Sequence, residues 1–291
     1  MGGNILKDLT SGILSIIGQR PANSYKGNYG RVLTIGGAKS FGGAIIMSSS
    51  AAVHSGAGLV TCATDPVNVT ALHSVVPEVM YVDFTDTEAV NGILKSADVI
   101  VLGPGLDVDA TAKGIIKNVF ENVKPNQYLI IDGSAITLLA HDKDLLNTLP
   151  EAHIIFTPHE MEWQRLSGIK ISEQTDERNR QKQKELGATV VLKKHHTEIY
   201  APDKETFRLP LGGPYMSTGG MGDTLTGIIA GFMAQFAKNG PKTALAAAIY
   251  THSAIADQLS QDSYVVLPTD IISKLQQFME EKSERTNEVK D

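Results

Sequence analysis

Six short apolar runs, each closed by glycine, proline or a polar turn, set the architecture open to this chain. They are "RVLTIGG" (31–37), "GLVTCAT" (58–64), "ADVIVLGPG" (97–105), "YLIIDGS" (128–134), "AHIIFTPHE" (152–160) and "ATVVLKK" (188–194). Their apolar residues are continuous rather than alternating, so each run has to be covered on both faces. Longer helical patterns separate them, such as the small-residue stretch "GGAIIMSSSAAVHSG" (42–56). Strands alternating with helices predict an α/β protein with a mostly parallel central sheet and helices on both faces. "EIYAPDKETFRLP" (198–210) reads differently, as an antiparallel hairpin turning at Pro-Asp on the sheet edge. Beyond it lie a glycine loop, two long helical patterns (about 220–237 and 241–260) and a last helix near 269–282.

The 291 residues are 42% hydrophobic, enough for a sizeable core, and no repeat, low-complexity tract or linker divides them. A single domain over 1–291 is expected, with a frayed charged tail at about 280–291, "EEKSERTNEVKD". The first twenty residues are apolar at helical spacing, but Lys7, Asp8, Ser11 and Gly12 interrupt them, unlike a signal peptide. No stretch has the ~20 apolar residues that span a bilayer. A net charge of −6 with scattered basic residues argues against nucleic acid as a partner. One cysteine, Cys62, sits in a buried-type run and cannot form an internal disulfide. A soluble cytoplasmic protein is the expectation.

In open parallel sheets, ligands bind beyond the carboxyl ends of the strands. Gly36-Gly37, Gly103-Pro104-Gly105, Asp132-Gly133, Thr157-Pro158-His159-Glu160 and Lys193-Lys194 all fall at such ends. The two common phosphate-binding signatures are missing. No Gly-Lys dipeptide exists for a P-loop, and the glycines of "GAGLVT" precede a strand instead of following one. "STGGMGDTLTG" (217–227) offers another route. Gly219, Gly220 and Gly222, with Met221 between them, can turn backbone N–H groups into a concavity. The helix behind leaves its first amides unsatisfied and partially positive, which makes an anion hole. Asp223 enters the first turn of that helix. Such a carboxylate can simply favour the dipole. It can also take the proton of a hydroxyl attacking the bound phosphoryl group, because that hydroxyl becomes strongly acidic as its bond to phosphorus forms.

With these residues in view, the chain resembles the ribokinase-like superfamily, and within it the ADP- or ATP-dependent NAD(P)H-hydrate dehydratases. The stretches that carry the resemblance are "KGNYGRVLTIGGAKSFGGA" (26–44), "HSGAGLVTCAT" (54–64), "PEVM" (77–80), "VLGPGL" (101–106), "TPHEMEWQRLSG" (157–168), "VVLKKHHTEIYAP" (190–202) and "STGGMGDTLTGIIAG" (217–231). The resemblance implies a ribokinase-like three-layer sandwich and repair of hydrated NADH or NADPH. The ring hydroxyl would be phosphorylated from ADP or ATP, with Mg²⁺, and phosphate then lost. It implies Asp223 as substrate contact and base, Gly222 and its neighbours as anion hole and nucleotide contact, and Lys193, Lys194, His195, His196 and Thr197 as nucleotide-binding. Ala44, Gly105 and His159 would line the site of the hydrated cofactor, and the assembly would be a homotetramer. Metal ligands are not assigned.

Some positions depart from the family pattern. Asp132-Gly133-Ser134 lacks a second acid, Lys194 replaces a glycine, and Asp107 ends the "GPGL" turn where a further glycine is usual. His159 could instead cap the following helix. His195 and His196, as neighbours on a strand, are expected to point apart into solvent, with no metal partner at suitable spacing. Two other functions stay open: a small-molecule kinase acting on a vitamin-precursor alcohol, and a nucleotide-binding regulator without catalysis.

Overall fold

The computed structural model describes residues 6–203 and 205–288. Ten strands form one sheet: β1 Leu6–Asp8, β2 Arg31–Ile35, β3 Leu59–Thr64, β4 Met80–Asp83, β5 Val99–Leu102, β6 Tyr128–Ile131, β7 His153–Phe156, β8 Thr189–Leu192, β9 Glu198–Tyr200 and β10 Thr206–Arg208. Their order is β1-β10-β9-β8-β7-β6-β5-β2-β3-β4. Pairs β8–β9 and β9–β10 are antiparallel and the others parallel.

Alternation along the central strands explains the three layers. Val99 and Val101 of β5 face one apolar cluster while Ile100 and Leu102 face the other. The same division holds for Ile130 against Leu129 and Ile131, and for Val191 against Val190 and Leu192. Both faces being apolar, the run reads as continuous. The helices Gly42–His54, Met221–Phe236, Pro241–Leu259 and Pro268–Glu288 cover the first face. Thr87–Leu94, Ala110–Asn122, Gly133–His141 and Glu160–Ser167 cover the second.

The helix Met221–Phe236 lies at the centre of its layer. Ile228, Ile229 and Phe232 are fully buried, each contributing roughly 1.5–3 kcal/mol of apolar burial. Its small residues let the neighbour approach: a Cβ on Gly227 would lie 2.1 Å from the Ser48 carbonyl oxygen. This packing fixes the helix start, and hence Asp223, against the sheet.

Several expectations need correction. The 198–210 hairpin is antiparallel as read, but it does not form the edge, because β1 pairs in parallel with β10 outside it. The N-terminal stretch, apolar at helical spacing, forms a strand and a 3₁₀ turn, Ser11–Ile16; residues 1–5 lie outside the described part. The last helix continues to Glu288, through most of the tail expected to fray, and 289–291 lie outside the described residues. Edge strand β4 was not read as a strand: it is short, with Met80 exposed, so it lacks the buried-strand signature.

Candidate active site

Strand order reverses between β2 and β5, the position where an α/β sheet opens a crevice at its carboxyl edge. Gly105, after β5, and Ala44, in the helix that follows β2, meet there. A Cβ on Gly105 would lie 3.2 Å from the Ala44 Cβ and 2.5 Å from the Phe41 carbonyl oxygen. Two residues on, Asp107 adopts φ 74°, a left-handed angle that Asp tolerates better than most residues. Its Oδ1 accepts from the Val108 N–H at 2.8 Å, so the departure from glycine is accommodated locally.

Moving along the edge, β6 ends in Asp132, 2% exposed. Its Oδ1 lies 2.8 Å from Lys193 Nζ, which comes from the end of β8. Loop 157–160 bridges the two strands, with the Lys193 N–H donating to the Pro158 carbonyl at 2.8 Å. Behind the pair stands Glu162, also buried, its Oε2 accepting from the His159 N–H at 2.8 Å. Burial and the nearby Asp132 charge raise the Glu162 carboxyl to about 7. Burial works against the Lys193 charge, but Asp132 and Glu162 outweigh it and hold the ammonium above its usual range.

The helix Met221–Phe236 begins directly over this pair. Gly220, its N-cap, takes φ 94° and supplies no side-chain cap. The ladder of this helix starts with Thr224 N–H donating to the Gly220 carbonyl, which leaves the Met221, Gly222 and Asp223 amides pointing out of the helix end. Of the loop glycines, only Gly220 needs a left-handed angle; at Gly222 a Cβ would lie 2.9 Å from Lys193 Nζ and would displace the ammonium. Gly219 has open space around it. Asp223 is half-buried in the first turn. Burial, aided by the Asp132 charge and opposed by Lys193, raises its carboxyl to about 6. Because Lys193 is committed to Asp132, Asp223 is left a half-buried carboxylate with its charge uncompensated by contact.

On the other side of Gly222, a pocket of about 530 Å³ is lined by Lys193, Lys194, His195, His196 and Thr197, and also by His159, Met221 and Gly222. The five residues expected to bind nucleotide therefore do share one cavity with the helix start. Ala44 and Gly105 do not line it; they meet each other at the carboxyl ends of β2 and β5. His159 does both things open to it. Its Nδ1 accepts from the Met161 and Glu162 amides at 3.1 and 3.3 Å, capping the helix Glu160–Ser167, while the ring lines the pocket. Burial and Lys193 lower its basicity, which keeps Nδ1 an acceptor.

The two histidines after Lys194 do not point apart. They lie in the turn between β8 and β9, where His196 takes φ 63° and the two rings tilt together with centroids 4.0 Å apart. Lys194 does not intrude as a free cation either: its Nζ lies 2.8 Å from Glu198. Glu198 also accepts from the Tyr200 hydroxyl at 2.6 Å, which accepts from Asn179 at 3.2 Å, whose Oδ1 takes the Trp163 N–H at 2.8 Å. The network ties the pocket loop to the second helical layer.

The sequence marks Asp132 as a strand-end acid and as part of a departure from the family pattern, and gives no role to Glu162 or His252. The signal for Asp132 was its place after "YLII"; Glu162 could have been found as an acid three residues after a capping His159. His252 sits inside an alanine-rich helical pattern and gave none.

A mostly parallel ten-stranded sheet whose late helix opens on glycines and an acid is the ribokinase-like fold. A ribokinase-like superfamily protein from Enterococcus faecalis superposes with a TM-score of 0.91 at 48% identity, covering 96% of this chain and 97% of that one. An ADP/ATP-dependent NAD(P)H-hydrate dehydratase from Bacillus subtilis, co-crystallized with ATP/Mg²⁺, does so at 0.80 and 25% identity, covering 94% and 99%. In sequence, the ADP-dependent (S)-NAD(P)H-hydrate dehydratase of Lactiplantibacillus plantarum is 48% identical over 94% of this chain and 97% of its own length. Residues 32–277 match the Carb_kinase family profile, described as NAD(P)H-hydrate dehydratase, and the chain belongs to that family.

Proposed function

We propose that this chain restores hydrated NADH and NADPH by ADP-dependent dehydration, with Asp223 as the base. The observation that carries this reading is the position of Asp223. It is a half-buried carboxylate of raised pKa in the first turn of the helix, next in the chain to Met221 and Gly222, which line the 530 Å³ pocket. A donor in the pocket would set its terminal phosphoryl group against the Met221, Gly222 and Asp223 amides, with Lys193 beneath. The hydrated ring would enter from the crevice, against Ala44, Gly105 and the exposed side of His159.

The ring hydroxyl attacks the terminal phosphorus, Asp223 takes its proton, and the nucleoside monophosphate leaves with the bridging electrons. Phosphate then departs from the ring carbon, pushed by the lone pair on the adjacent nitrogen. The neighbouring carbon gives up a proton to the departing phosphate, and its C–H electron pair completes the double bond. Asp132 keeps Lys193 fixed under the amides, so the charges that receive the phosphoryl group are placed before it moves.

Among the described residues, no group of three or more His, Cys, Asp or Glu could hold a metal. Mg²⁺ would be carried mainly by the donor's phosphates, with one or two protein carboxylates; Asp223, in the first turn of the helix Met221–Phe236, is an acid at the helix mouth. When bound, Mg²⁺ would neutralise donor oxygens. ADP is inferred as donor because several relatives bear ADP-dependent names. A homotetramer in the cytoplasm completes the reading; among the described residues no helix is long and apolar enough to cross a membrane.

The test is to offer hydrated NADH with Mg²⁺ and either ADP or ATP. Return of the dihydronicotinamide absorbance with ADP supports the reading. A stable phosphorylated alcohol, with hydrated NADH ignored, would instead mark a small-molecule kinase.

A further inference from the structure

Residues 211–217, just ahead of the glycine loop, form one wall of the pocket, and all of them line it except Tyr215. The segment turns at Gly212, which takes φ 95°, a left-handed angle that a side chain would strain. Pro214–Met216 then makes a single 3₁₀ turn. With two adjacent glycines and neither a strand nor a long helix to order it, such a segment needs anchors outside itself.

Tyr215 supplies them on the side away from the pocket. Its half-buried ring packs on the apolar cluster beneath, and its hydroxyl donates to Asp257 Oδ1. The same oxygen accepts the Gly212 N–H at 3.0 Å. From the opposite direction, the Tyr215 carbonyl accepts the Val266 N–H at 2.9 Å. Burial and Asp257 push the Tyr215 phenol up to about 12, which keeps it a donor at neutral pH. Asp257 lies in the last turn of the helix Pro241–Leu259, the negative end of the dipole, so helix stability does not explain an acid there. Among the described residues no Lys, Arg or His forms an ion pair with it.

We infer that Asp257 and Tyr215 are positioning residues for the nucleotide: together they hold the 211–217 wall in its donor-binding shape without lining the pocket. This rests on the nucleotide reading of the pocket given above. The helix start is fixed separately, because a Cβ on Gly220 would lie 2.6 Å from the Met47 sulfur. Loosening the wall should therefore weaken donor binding more than phosphoryl transfer.

The test is equilibrium binding of ADP, with Mg²⁺, to the full chain and to Tyr215→Phe, Asp257→Leu and Asp257→Asn, alongside turnover of hydrated NADH. Tyr215→Phe and Asp257→Leu should raise the Kd and KM for ADP by about tenfold. Their kcat at saturating ADP, and the KM for hydrated NADH, should stay within about threefold of wild type. Asp257→Asn keeps an oxygen that can accept from both donors and should recover most of the affinity. Tyr215→Phe retains the ring and its packing, so it decides the matter should Asp257→Leu fail to fold. Variants that lose stability yet bind ADP as tightly as wild type would overturn the inference and leave the nucleotide site standing. A fall in kcat with ADP affinity unchanged would do the same. A wild-type chain that binds no ADP would overturn the nucleotide reading and this inference with it.

Discussion

Lys193 reaches across from the end of β8 to hold Asp132 at the end of β6, at 2.8 Å, and the ammonium fills the space that a side chain on Gly222 would need. Three segments far apart in the chain are locked by that one contact. Asp223 has no cation of its own, and burial, aided by the Asp132 charge, raises its pKa.

The Gly222 contact gives a first prediction. In Gly222→Ala the new Cβ would lie 2.9 Å from Lys193 Nζ, so the ammonium has to shift. The flexible lysine end can move cheaply, and stability should change by less than about 1 kcal/mol. Displacing the charge from beneath the helix mouth should lower kcat by about tenfold or more. Urea unfolding and steady-state turnover on one preparation check both.

Buried acids also affect folding. Asp223 rises from 3.8 to about 6, so the stability linked to its neutral form is complete below pH 3.8 and is lost as the pH climbs through 6. Asp223→Asn should therefore be more stable than wild type at pH 8, by on the order of 1–3 kcal/mol, and nearly equal to it at pH 4. Glu162→Gln should show the same trend up to about pH 7. Denaturant midpoints at the two pH values decide.

Turnover should follow the opposite course. A base must be ionised to accept a proton, so kcat/KM should climb with pH through a midpoint near 6. Because Asp132, Glu162 and Asp223 share one Lys193, the apparent midpoint belongs to the cluster. Glu162→Gln removes one acid and should lower the midpoint. A flat profile between pH 5 and 8 would contradict this.

Much of the layout was legible in the amino-acid order because it depends on local physics. Val99–Leu102 and Tyr128–Ile131 are apolar at every position because both their faces are covered, and that shows in sequence. The Gly220–Asp223 helix start was equally visible. Less legible was everything set by tertiary contact. Nothing local in "ILKDLTS" announces that Leu6–Asp8 will pair with Thr206–Arg208. The partnership of Asp132 with Lys193, and the burial that sets the pKa of Glu162, arise only when the strands lie side by side. His196 misled for a related reason: its positive φ turns the ring onto His195, and strand alternation no longer applies.

Lys194 illustrates how a departure from the family pattern is absorbed. Its ammonium faces Glu198, which is 8% exposed and already bound by Tyr200. Lys194→Met should strand that carboxylate and cost about 1–3 kcal/mol. Adding Glu198→Gln should return part of the loss, and a double-mutant cycle by urea unfolding measures the coupling.

The most direct test of the role given to Asp223 is a single-turnover comparison of wild type and Asp223→Asn with hydrated NADH and ADP, alongside ADP binding by each. The account predicts that the variant binds ADP within about threefold of wild type while conversion falls by about a hundredfold or more. Wild-type conversion by the variant would contradict it.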